Sequence, residues 1–180
     1  MAYVRDVREL DVALGFLIER GCVEHRGRGY QLKLAGWERF AELEARKPTG
    51  TKCFVTMNFD PNMDSVYENA ISPGVKAAGF DPFRVDRKPH NEDIVGFMLS
   101  EITQSRLLVA DVTGQKHGVY FEAGYAMGLG RPVIWSCKKC DFTSVHFDTS
   151  HYNHIFWETE DELCKTLEWR IKETVIPGRL

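Results

Sequence analysis

The sequence predicts an α/β protein: a parallel sheet of about five strands with helices on both faces, preceded by a small segment of different character. Three observations predict it. From Cys53 onward, short apolar runs alternate with segments of helical periodicity. The runs are apolar throughout, as strands buried on both faces must be. The first fifty residues read instead as helix, hairpin and helix.

The chain has 180 residues, room for one ordinary α/β domain and a small appendage. Apolar residues make up 43% and charged residues 27%, a composition that excludes disordered, fibrous and repeat classes. With 23 basic and 26 acidic residues the net charge is −3, so no global positive field points to nucleic acid or an anionic membrane. No run reaches the ~18 apolar residues of a membrane span, and MAYVRDVREL has no signal-peptide core. The expected location is the cytoplasm. Five cysteines spread over different elements do not form a secreted disulfide framework, and reduced thiols are expected.

In the first segment, Val7, Leu10, Leu14, Leu17 and Ile18 recur at helical spacing and Gly21 supplies a stop, predicting a helix from about Asp6 to Arg20. Cys22–His25 and Tyr30–Leu34 form a hairpin around Gly27-Arg28-Gly29, and Trp37, Phe40, Ala41 and Leu43 open a second helix. Residues 1–50 hold nine basic and eight acidic side chains, too balanced for phosphate-driven DNA binding. The predicted boundaries are a module over 1–47, a linker over 48–52 with Pro48 and Gly50, and the sheet domain over 53–176.

Predicted strands in that domain are Cys53–Met57, Phe83–Asp86, Leu107–Asp111, Pro132–Trp135 and Ile155–Trp157. The helices between and after them span Met63–Ala78, Asn91–Ser105, Val119–Leu129 and Glu160–Glu173. The alternation implies right-handed crossovers and a Rossmann- or flavodoxin-like sheet, whose ligand sits outside the carboxyl ends of the strands. The loops there are rich in acids: Asp60 and Asp64, Asp86 and Asp93, Asp111, then Glu122 near a helix start. Gly114 and Gly118 let the backbone approach a ligand.

The run VADVTGQKHGVYFEAGYAMGLG, followed by GRPVIW, resembles the nucleoside 2-deoxyribosyltransferase-like superfamily, whose folds are close to those of TIR-like domains. The similarity covers about residues 52–175. MNFDPNMDSVYENAI, DRKPHNEDI and VHFDTSHYNHIFWE resemble a bacterial branch of it that often carries an N-terminal winged-helix-like segment, and GYQLKLAGWERFAEL is similar to a wing and its following helix.

The resemblance implies that Glu122 is a nucleophile toward C1′ of a ribosyl or deoxyribosyl group, leaving a covalent glycosyl-enzyme. It also implies that Asp93 lies near the base or sugar and Asp111 near the departing base. Cleaving an N-glycosidic bond needs an ionised carboxylate and a group that protonates the base. Asn58, Phe59, Asp60, Gly114 and Gly118 are expected to shape the pocket, Arg87 to add positive charge and Tyr120 to stack on a base. His146 and Asp148 are expected to fold over the ligand or make a subunit contact. The loop after the first strand lacks the glycine- and serine-rich character of a phosphate site, and Arg84, Arg87, Lys88 and His117 are alternative cations.

Cys137-Lys-Lys-Cys140 with His146, His151 and His154 has one thiol pair and no second, so no metal is expected, and no cofactor. The expected partners are a nucleoside, nucleotide or NAD and further copies of the chain, as a homodimer or larger homo-oligomer. Two alternatives stand beside the leading reading of a glycosidase or deoxyribosyltransferase: a TIR-like NAD glycohydrolase effector, and a non-catalytic nucleotide sensor.

Overall fold

The computed structural model describes residues 7–45, 48–87, 94–144, 149 and 151–175, with backbone only at 43–45, 87 and 143–144. The chain forms two compact units, Met1–Pro48 and Thr49–Leu180.

In the first unit, helix α1 (Val7–Glu19) ends in a Schellman-type motif. Gly21 lies in the left-handed region at φ 69°, and the Cys22 N–H donates to the Leu17 carbonyl at 2.9 Å. Strands β1 (Val23–Arg26) and β2 (Gly29–Leu32) pair antiparallel, Val23 opposite Leu32, and α2 (Leu34–Ala45) follows. The predicted apolar stripe of α1 is present in sequence, yet no residue of α1 is buried, and Val23 is the buried apolar side chain among the unit's described residues.

The second unit is built on five parallel strands: β3 (Lys52–Thr56), β4 (Asp81–Phe83), β5 (Leu107–Asp111), β6 (Val133–Lys138) and β7 (Ile155–Trp157). Their spatial order is β4-β3-β5-β6-β7, the flavodoxin-like arrangement. One face packs Val55, Leu107, Val109, Ile134 and Trp157 against the helices that follow β3 and against α7 (Glu160–Val175). The other packs Phe54, Leu108, Ala110 and Trp135 beneath α5 (Ile94–Gln104) and α6 (His117–Gly128). Burial on both faces is the reason the strands read as unbroken apolar runs.

Two elements differ from expectation. The helix predicted over Met63–Ala78 is segmented: a 3-10 turn (Pro61–Met63), an α-helical turn α3 (Asp64–Val66), a π-helical turn (Tyr67–Ile71) and α4 (Ser72–Ala77). Pro73 has no amide hydrogen to return to the preceding turn, and the wide turn lies directly before it. β4 occupies Asp81–Phe83 rather than 83–86; it is an edge strand held by β3 alone, and Val85–Arg87 coil into a 3-10 turn. No helix among the described residues is long and apolar enough to cross a membrane.

Candidate functional site

The strand order reverses between β3 and β5, and the chain leaves these two strands in opposite directions. A cleft of about 320 Å³ opens there, at the carboxyl ends. Thr56, Met57, Asn58 and Phe59 form one wall; Lys116, Gly118, Val119 and Glu122, from the start of α6, form the other.

Glu122 is 8% exposed. Burial pushes its carboxyl above the usual range, and a hydrogen bond from the Thr56 hydroxyl partly offsets that by favouring the carboxylate. Glu122 is thus a nearly buried carboxyl group on the wall of the cleft, beside the end of β3.

The loop from β5 to α6 is shaped by backbone constraint. Gly114 has φ 78°, a conformation that favours glycine, and a Cβ there would lie 2.8 Å from the Asn58 side-chain amide nitrogen, which would have to shift. The Gly114 N–H donates to Asp141 at 2.8 Å. Gln115 is also left-handed, at φ 52°, an uncommon conformation for a non-glycine residue. Its side-chain carbonyl accepts from the Tyr120 hydroxyl, while its buried Nε2 has no partner among the described residues.

Asn58, Phe59, Gly118 and Glu122 therefore line one cleft, and Asp60 and Gly114 sit in its loops. Asp60 caps the 3-10 turn, accepting from the Asn62 N–H at 2.9 Å. Tyr120 is half-buried with its ring 6.2 Å from Trp135, so it packs toward the core rather than standing open as a stacking platform. Asp93, His146 and Asp148 lie outside the described residues, as does the side chain of Arg87.

Asp111 is placed differently from Glu122. It is 0% exposed, is absent from the cleft walls, and accepts from Ser136 Oγ at 2.7 Å, Trp157 Nε1 at 3.0 Å and the Thr113 N–H at 3.1 Å. Burial pushes its pKa up against these donors. These bonds tie Asp111 to the ends of β6 and β7 and to its own loop, which is the geometry of a strand-end clamp. It is not that of a group facing a ligand.

Arg84 carries a role that its sequence position did not reveal. It is 2% exposed, and its guanidinium donates to both oxygens of Asp86 at 2.6 Å, to Asp64 at 2.7 Å, and packs over the Tyr67 ring at 4.7 Å. Burial opposes its charge, but the two carboxylates outweigh that and hold its pKa above the ordinary value. With its charge engaged internally, Arg84 organises the loop behind Phe59, 5.6 Å away, instead of offering a cation for phosphate. The only sequence signal was its spacing two residues before Asp86.

His154 is 5% exposed, between Trp135 and Phe156, both at 5.6 Å. Its Nδ1 lies 2.8 Å from the Tyr152 carbonyl, which can only accept, so Nδ1 carries the proton; burial holds the ring below its ordinary pKa and Nε2 is without a partner among the described residues. Cys137 is buried and its thiol is pushed up to about 12, so it is not a thiolate at neutral pH. Among the described residues no group of three or more His, Cys, Asp or Glu side chains is arranged to hold a metal ion.

No family model matches the sequence, and no curated protein matches it. Solved structures do. A 2-deoxyribosyltransferase from Leishmania mexicana aligns with TM-score 0.51 and 14% identity, covering 70% of this chain and 99% of that one. A CMP N-glycosidase from Clostridium botulinum aligns with TM-score 0.52 and 14% identity, covering 66% and 98%. The likeness is one of fold: the chain shares the α/β architecture that its sequence resemblance implied.

Proposed function

We propose that the sheet domain cleaves the N-glycosidic bond of a nucleoside or nucleotide, as an N-glycosidase or deoxyribosyltransferase-like enzyme, with Glu122 as nucleophile. The observation that carries this reading is Glu122 itself: a nearly buried carboxylate on the wall of a cleft at the sheet's switch point, oriented by Thr56. The two structural neighbours, a 2-deoxyribosyltransferase and a CMP N-glycosidase, support the same reaction class.

In this reading a Glu122 oxygen attacks C1′ and the C1′–N bond breaks, its electron pair leaving on the base nitrogen, which takes up a proton. Water or a second base then attacks C1′ and releases the Glu122 carboxylate, giving hydrolysis or transfer. Phe59, half exposed beside the cleft, is suited to stack on the base, and Asn58 and Lys116 to bind polar atoms. Asp93 keeps the sugar-side role that the resemblance implies. The saturated, buried Asp111 supports a positioning role over proton delivery to the base.

The test is chromatography of free base after incubation with 2′-deoxynucleosides, nucleosides, their 5′-monophosphates and NAD, with and without an acceptor base. Release from one substrate, lost in Glu122→Gln, supports the proposal, and the responding substrate fixes the sugar and phosphate requirement. NAD as the sole substrate favours the TIR-like alternative. Tight binding with no base released from any of them favours the sensor and contradicts the enzyme reading.

A further inference from the structure

The C-x-x-C segment that follows β6 is tied to the cleft at two points. Cys137 lies one residue before the end of β6, and Cys140 lies in the 3-10 helix (Lys139–Ser144) that comes next. The Lys138 N–H donates to Thr113 Oγ1 at 2.9 Å, and Asp141 Oδ2 accepts from the Gly114 N–H at 2.8 Å. Thr113 and Gly114 are consecutive residues of the loop from β5 to α6, so one short segment grips both. The thiols take part in the grip. Cys137 is hydrogen-bonded to the Thr113 side chain, and the Cys140 thiol donates to Asp141 Oδ1 at 3.5 Å.

The two thiols differ in access. Cys137 is buried and Cys140 is exposed, and both are free. They are also neighbours, since the charge of Cys140 is among the causes that raise the Cys137 pKa. An exposed thiol beside a buried one is the arrangement in which the first meets a dissolved oxidant and the second closes on it. The two lysines between them are surface residues, and Lys139 is engaged by Glu158 and Glu162.

We infer that Cys137 and Cys140 form a reversible dithiol–disulfide site whose reactant is a low-molecular-weight disulfide of the glutathione type, and that closing the bridge releases the Gly114 loop. The Cys140 thiolate attacks one sulfur of glutathione disulfide, forming a mixed disulfide and expelling a glutathione thiolate. Cys137 gives up its proton and attacks Cys140 Sγ; the Cys137–Cys140 bond forms as the second glutathione thiolate leaves. Two protein thiols are oxidised, one glutathione disulfide is reduced, and the two protons end on the two glutathiones. Reopening the bridge at Cys140 must expel the Cys137 thiolate, which burial makes a poor leaving group, so the bridge persists until reductant is in excess. The bridge removes both S–H donors and draws Cys140 toward β6, and Asp141, the next residue, moves off the Gly114 N–H. That this loop borders a substrate cleft rests on the function proposed above; the bridge and the release of the loop do not.

The test uses the full chain in glutathione buffers of rising disulfide-to-thiol ratio and reads no turnover, so its outcome is independent of the reaction. Remaining thiols are alkylated and tryptic peptides mapped; cleavage after Lys138 and Lys139 separates the two cysteines, so a bridge appears as two linked peptides. The expected result is a Cys137–Cys140 link that grows with the ratio, disappears with dithiothreitol and is absent from Cys140→Ser. Cys137→Ala should stop at a glutathione adduct on Cys140; if it does not fold, Cys140→Ser, a surface change, serves as the control. On bridging, hydrogen exchange in the peptide containing Gly114 should quicken roughly tenfold, as for an amide that loses a charge-assisted bond, while Cys140→Ser in the same buffer keeps its slow exchange. No link between these two cysteines at any ratio, or a link that leaves exchange at Gly114 unchanged, overturns the inference.

Discussion

Asp111 and Glu122 lie on opposite faces of the same sheet. In the parallel register Thr56 pairs with Ala110, so both point toward α6, where Thr56 meets Glu122; the next residue, Asp111, turns to the other face, where Ser136 and Trp157 hold it. Two acids close in sequence are thereby given different environments. One lines a cleft and the other ties strand ends together.

That division predicts distinct mutant behaviour at Asp111. Asp111→Asn presents an amide to donors that a carboxylate had satisfied, at a cost of about 2–4 kcal/mol, readable as a lower urea midpoint. Because Asp111 is buried and does not line the cleft, the basic limb of the variant's pH–rate profile should keep its position. Loss of that limb would assign Asp111 a proton-transfer role.

Glu122→Gln should abolish turnover by about a thousandfold or more while stabilising the fold at pH 7. Burial raises the carboxyl pKa of the folded state, so the native protein binds more protons than the unfolded chain and stability falls as pH rises through that range. The glutamine variant escapes this loss. Its melting midpoint should exceed the parent's by roughly 2–4 °C at pH 7, the shift that about 1 kcal/mol gives in a domain of this size, and the gap should close near pH 4. Activity of the parent should fail on acidification at a higher pH than an ordinary glutamate would dictate.

Arg84→Met leaves Asp64 and Asp86 without their shared cation, and Arg84→Lys cannot reproduce the two-oxygen contact with Asp86. The guanidinium is buried, but both carboxylates are partly exposed, which screens the loss to about 2–3 kcal/mol for methionine. In kinetics the displaced Phe59 loop should raise KM more than it lowers kcat. An unchanged KM would separate Arg84 from the cleft.

His154 gives a titration of the opposite sign. Its folded pKa is depressed by burial, so the unfolded chain binds the proton more readily and stability falls as pH drops through the ordinary histidine range near ~6.5. His154→Phe should flatten that limb in melts from pH 8 to 5, at a cost of about 1 kcal/mol for the lost bond to Tyr152.

The sheet was legible in the sequence because LLVAD and its sister runs are short, apolar and separated by helical segments, as covered parallel strands are. Glu122 and the Asn58–Phe59 wall were legible because loops at strand ends and a glycine-flanked helix start are where such sheets bind ligands. What the sequence hid depends on three-dimensional pairing. Nothing local to Asp111 announces that Trp157, in the last strand, will donate to it, or that Arg84 will be enclosed by Asp64 from another loop. The helix, hairpin and helix of the first unit were legible from apolar spacing and glycine stops, whereas spacing in α1 marks an apolar stripe without saying what covers it.

The most direct test of the account is mass spectrometry of the acid-quenched, peptide-mapped protein after mixing with the substrate that releases base. A pentosyl adduct is expected on the peptide containing Glu122, appearing with the burst of base and absent from Glu122→Gln. Undiminished base release by Glu122→Gln, with no adduct on that peptide in the parent, would contradict it.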